Sequence, residues 1–115
     1  MSKIKRFESG PRMSQAVRYG DIIHLAGQVG TGATVTEQAK SALAEVERVL
    51  ELAGGSKSTI LSVTVWLADM NDFAEMNAVY DAWVDPENKP ARAAGEAKLA
   101  TPDYRVEFIV VAARA

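Results

Sequence analysis

Apolar residues recur along the chain with two periods. Between Glu37 and Ala53, Ala39, Leu43, Val46, Leu50 and Ala53 follow one another at intervals of three or four, which draws one stripe down a helix. Thr34 and Glu37 form a capping pair at its start, and Gly54-Gly55 supply its stop. A second helix is predicted over Asp72 to Val84, with Phe73, Met76, Tyr80 and Trp83 as its stripe. Asp72 and Glu75 read as its caps, and Asp85-Pro86 ends it. Short strands are expected over Lys3 to Glu8, Met13 to Tyr19 and Asp21 to Ala26, with turns at Ser9-Gly10-Pro11 and Tyr19-Gly20-Asp21. The β-branched run from Ser58 to Ala68 reads as a long strand. Ala91 to Lys98 and Tyr104 to Ala113 read as two more, turned by Thr101-Pro102-Asp103.

The order βββαβαββ implies an α+β domain, with one mixed six-stranded sheet and two helices on one face. Val106 to Ala113 and Leu61 to Ala68 are apolar at nearly every position instead of alternating. Such strands want cover on both faces, and two helices cover one. The second face is therefore expected to meet another copy of the chain.

Composition narrows the chemistry. The 115 residues fit one domain, 1–115, and 48% apolar with 24% charged residues is an ordinary globular mix. A formal net charge of −2 and a pI near 5.4 speak against a phosphate-neutralising nucleic-acid binder, although a local basic cleft stays open. The absence of cysteine excludes disulfides, thiolate zinc sites and cysteine nucleophiles, and a single histidine excludes His-rich metal sites. No metal site is expected. No run approaches the roughly 18 apolar residues of a membrane span. The residues from Met1 to Arg6 lack the apolar core of a signal peptide, so a cytoplasmic location is expected.

Few residues then remain for chemistry. His24 reads as a strand residue, partly buried or facing a neighbouring subunit, with a lone general base as the alternative. The stretch Gly27 to Gln28-Val29-Gly30-Thr31-Gly32 lacks the P-loop Lys and the dinucleotide glycine spacing. It leaves either a tight turn or close backbone approach to a small anion. Arg92 follows Pro90-Ala91 at a strand start, and Glu107 lies in the next strand. If those strands pair as a hairpin, a cation and a carboxylate approach one region, as a small carboxylic acid and an attacking water require. A plain cross-strand ion pair is the alternative. Asn77 lies beside the second helix's apolar stripe.

Four segments together resemble the RidA/YjgF family of enamine/imine deaminases. They are Gln15 to Asp21 running into Leu25-Ala26-Gly27-Gln28; Val49 to Gly54; Val63 to Phe73 with Met76-Asn77; and Pro90-Ala91-Arg92 with Val106-Glu107. Ala82-Trp83-Val84 and Pro102 to Glu107 are similar to the YoaB-like side branch. The resemblance implies a chorismate-mutase-like protomer in a homotrimer with clefts between subunits. It implies that Arg92 binds the carboxylate of a 2-imino or 2-enamino acid. Glu107, fifteen residues later, would serve the hydrolytic water. The products would be a 2-keto acid and ammonia, with no cofactor. Three positions depart from the archetype: Met13 replaces a tyrosine, Ala26 a serine, and Ala94 a small polar residue or cysteine. With Gly27 and Asn77, these complete the expected substrate-binding set. A trimer that binds or senses small carboxylates without turnover is the alternative function. An endoribonuclease or translation inhibitor is a third, against which the acidic pI weighs.

Overall fold

The computed structural model describes residues 3–115. Strands β1 (Ile4–Ser9), β2 (Ser14–Tyr19), β3 (Ile22–Leu25), β4 (Gln28–Val29), β5 (Ile60–Leu67), β6 (Ala91–Glu96) and β7 (Val106–Ala113) form one sheet, with helices α1 (Val35–Ala53) and α2 (Phe73–Trp83) against it. The strand order is β1-β2-β3-β7-β5-β6, with β4 pairing β7 beyond the end of β3. The α+β architecture and the element order expected from the pattern are present. The sheet has seven strands, because Gln28 and Val29 pair with Phe108 and Glu107. Two residues are too few to show a period, which hides β4 in the sequence.

The last two strands do not pair as a hairpin, the condition under which Arg92 and Glu107 would approach one region. β5 lies between them, parallel to β6 and antiparallel to β7. A parallel pair needs a crossover, and α2 supplies it.

Local chemistry explains the helix ends. The Thr34 hydroxyl accepts from the Glu37 N–H at 3.1 Å, and Gly54, with φ of 97°, closes α1 in the left-handed conformation that suits glycine. The expected cap on α2 is absent. Asp72 instead accepts two 3.0 Å bonds from Arg105, and Glu75 accepts from the Thr36 N–H and hydroxyl, at 3.1 and 2.6 Å, at the start of α1. Those bonds hold the Glu75 carboxyl below the usual carboxylate range.

The core lies between the sheet and the helices. Val106, Phe108, Val110 and Ala112 of β7 and Val63, Val65 and Leu67 of β5 are buried there with α1's Leu43, Val46 and Leu50. The residues between them on β7 (Glu107, Ile109, Val111 and Ala113) point to the other face and keep partial exposure. No segment among the described residues covers that face with a helix. His24 is exposed there, opposite Val17 and Val111, in keeping with its reading as a strand residue.

Candidate functional site

The expected site residues fall into two groups. Arg92, Ala94 and Asn77 belong to the first. Arg92 stands opposite Val63 on β5, and Ala94 opposite Val65, so both share the helix-covered face, at the edge of the sheet. Asn77, one turn before Tyr80 on α2, accepts a 2.8 Å bond from the Arg92 guanidinium through Oδ1. The guanidinium carbon lies 4.8 Å from the Tyr80 ring centre and 5.9 Å from that of Phe73. Arginine stacks well on such faces because it is planar and weakly hydrated. Burial pushes the Tyr80 phenol up, and the Arg92 cation opposes the shift. Among the described residues no carboxylate comes within ion-pairing distance of Arg92. It opens onto a cavity of about 440 Å3 shared with Tyr80, Asp81, Val84, Lys89 and Pro90.

Met13, Ala26, Gly27 and Glu107 belong to the second group. Glu107 stands opposite Trp66 on β5 and Val29 on β4, on the face away from the helices. Its carboxylate lies over Gly27. A β-carbon at Gly27 would fall 2.0 Å from Glu107 Oε2, so only glycine admits the carboxylate in this position. The bend through Ala26 is fixed from both sides. The Ala26 N–H donates to the Gln15 carbonyl at 2.9 Å, and buried Gln28 donates through Nε2 to the Ala26 carbonyl and to Gln15 Oε1. Met13, nearly half exposed, precedes β2 at this same end of the sheet.

Arg92 and Glu107 thus do not approach each other within one chain. Their partners on β5 are three positions apart, about 10 Å, and two strand spacings of about 4.8 Å separate their strands. An odd offset also sends the two side chains to opposite faces. The plain ion pair between them is absent for the same reason.

The glycine-rich stretch has a structural use as well. A β-carbon at Gly30 would meet the Gln38 carbonyl oxygen at 2.2 Å and the Ala42 nitrogen at 2.7 Å. The close approach is to the backbone of α1, which accounts for Gly30 without an anion. Gln38 itself, buried, donates to the Gly32 and Asp103 carbonyls at 3.1 and 2.9 Å and accepts from the Arg105 N–H at 2.8 Å. One amide therefore ties the glycine stretch to the entry of β7, two residues before Glu107. Gln38 carries only a faint signal in the sequence, a long polar residue at a position that belongs to the buried face of α1. Trp83, on the apolar stripe predicted for the second helix, flanks the core and donates to Glu47 at 2.6 Å. Trp66 lies on the uncovered face, against Gly95. No group of three or more His, Cys, Asp or Glu among the described residues is arranged to hold a metal ion.

Comparison with known proteins places this geometry. The Endoribonuclease L-PSP family profile matches residues 3–114. A RutC family protein of Haemophilus ducreyi is 41% identical over 112 residues, 96% of each chain. The RutC family protein YoaB of Escherichia coli is 40% identical over 111 residues, 96% of this chain and 97% of its own. A crystal structure of a YjgF-family member from Neisseria meningitidis superposes with a TM-score of 0.97 at 42% identity, covering 98% of this chain and 96% of that one. The chain therefore belongs to the RidA/YjgF family, in which YoaB-like proteins are among the relatives it resembles.

Proposed function

We propose that the protein is a cytoplasmic, cofactor-independent hydrolase of 2-imino and 2-enamino acids, acting as one domain over residues 1–115 in a homotrimer. In this reading Arg92 of one subunit and Glu107 of its neighbour face one cleft. The observation that carries it is the hold on Arg92. Asn77 takes one N–H, the Tyr80 and Phe73 rings flank the guanidinium, and Arg92 lines an open cavity. A guanidinium so fixed binds a carboxylate through two parallel bonds with little loss of freedom.

The chemistry then needs one base. Glu107 takes a proton from water as the water oxygen attacks C2 of the imine, giving a tetrahedral carbinolamine. That proton passes to the nitrogen to complete the carbinolamine; the proton of the new hydroxyl then moves to the amino group by way of Glu107, the C–N bond breaks as C=O forms, and ammonia leaves a 2-keto acid. An enamine first tautomerises to the imine. Gly27 leaves the room in which the carboxylate can sit beside such a water.

A coupled assay tests this: an amino-acid oxidase generates the imine and semicarbazide traps what remains. Wild-type protein accelerates keto-acid formation, and Arg92→Ala and Glu107→Gln do not. Equal rates with all three proteins would sink the proposal. Refolding the two inactive variants together tests the shared cleft. If each site takes one residue from each of two neighbours, roughly a quarter of the sites regain both.

Met13, Ala26 and Ala94 favour a second reading, a trimer that binds small carboxylates such as 2-keto acids without turnover. All three are apolar where the archetype can orient a ligand by hydrogen bonds. Stabilisation by 2-ketobutyrate that Arg92→Ala abolishes, without catalysis by the wild type, would favour it.

A further inference from the structure

The end of the sheet remote from Glu107 carries a basic hollow. Lys3, Lys5, Arg18 and Arg114 converge with Asp21 on a cavity of about 480 Å3. Glu107 is the second residue of β7 and Arg114 follows its last, so about 23 Å of strand separates them. The hollow is thus distinct from the Glu107 group, and it shares no lining residue with the cavity at Arg92.

Its charge is unbalanced. Four cations face one carboxylate in a chain whose formal net charge is −2. Among the described residues none of the four has a carboxylate within 4.0 Å. Lys5 and Arg18 also stand directly opposite each other on β1 and β2, an arrangement that destabilises a sheet when nothing offsets it.

The cations are nevertheless held in place. Both Lys5 and Arg18 lie over the ring of Phe7, at 5.7 and 5.4 Å. Arg18 donates to the Ala53 carbonyl at the end of α1, whose last turn has no basic residue of its own. That contact gives Arg18 a role in the fold. It gives none to Lys3, Lys5 or Arg114. The Arg114 N–H donates to the Asp21 carbonyl at 2.8 Å, which fixes the hollow's far wall.

We propose that this hollow binds a phosphate-bearing small anion, with phosphoryl oxygens accepting from Lys5, Arg18 and Arg114. Several cations gathered in a concavity match a polyvalent anion better than a single carboxylate. Guanidinium forks suit phosphate geometry, and the volume falls in the range of small-molecule sites. The cluster is compact instead of a stripe, which favours a small ligand over a nucleic-acid strand. The anion would offset the repulsion between Lys5 and Arg18.

Thermal melts of the full chain at constant ionic strength test this with inorganic phosphate, pyrophosphate and ADP, balanced by sodium chloride. Pyrophosphate is expected to raise Tm above the chloride reference. Lys5→Gln should raise Tm without added anion, since it removes the like-charge pair, yet weaken pyrophosphate binding about tenfold. Arg114→Gln should weaken binding comparably, and Arg92→Ala should leave it intact. A further gain with ADP assigns the site to a nucleotide, and equal shifts assign it to the diphosphate alone; either supports the site. Chloride matching pyrophosphate, full binding in both Lys5→Gln and Arg114→Gln, or loss in Arg92→Ala would overturn the proposal. So would binding of an oligoribonucleotide without binding of pyrophosphate.

Discussion

β7 contributes the same kind of residue to both faces of the sheet and meets different surroundings on each. Val106, Phe108, Val110 and Ala112 are enclosed by α1 and its neighbours, each at most 1% exposed. Ile109, Val111 and Ala113 are comparably apolar and keep part of their surface in solvent. Ile22 and Trp66 share that face. An apolar sheet face without cover is a surface made to meet another surface. The same division separates Arg92 on the helix side from Glu107 on the other. The candidate residues that lie with the helices find their supports within the chain, and in the proposed assembly those on the open face would meet a neighbouring subunit.

Substitutions can break this comparison, beginning with the enclosed face. Phe108→Ala should cost about 3–5 kcal/mol by opening a cavity beneath α1, measured by chemical denaturation. Val111→Asp, on the open face, should leave a folded chain by circular dichroism while shifting sedimentation toward the monomer. A change confined to stability, with assembly untouched, would count against an interface there. Gly27→Ala should stop turnover with a smaller loss of stability, because its methyl group displaces only the flexible end of Glu107. Removing the cap with Thr34→Ala should cost about 1 kcal/mol.

The smallest effect expected is a pH dependence. Glu75 is held below its ordinary range by Thr36, and Glu8 by Arg48. Each therefore binds protons less readily folded than unfolded. Their contribution is present above the unfolded carboxylate value of about 4.3 and is lost as pH falls through the folded one. Glu75→Gln should flatten the decline of Tm on acidification.

Features that depend on near neighbours in the chain were legible. Thr34, the stripe from Ala39 to Ala53, and Gly54 lie within one segment, and the helix they specify forms where they place it. Strand pairing depends on distant residues. Adjacency in sequence suggested a hairpin between the last two strands, whereas the crossover through α2 puts β5 between them. Asp72 and Glu75 have the spacing of a capping pair, but Arg105 and Thr36, each more than thirty residues away, claim them. The identities of Arg92 and Glu107 could be singled out from the sequence. Their separation follows from register, which composition does not encode.

Glu75 gives the two helices a shared fate in time. A side chain of α2 bonds the Thr36 amide in the first turn of α1, so that amide has a partner outside its own helix. It should exchange its hydrogen with deuterium more slowly than the first turn of a helix capped only by its own residues, and Glu75→Gln should narrow that difference. Asn77, which holds Arg92, rides on the same helix, so the residue that ties α2 to the start of α1 and the one that supports the arginine move together.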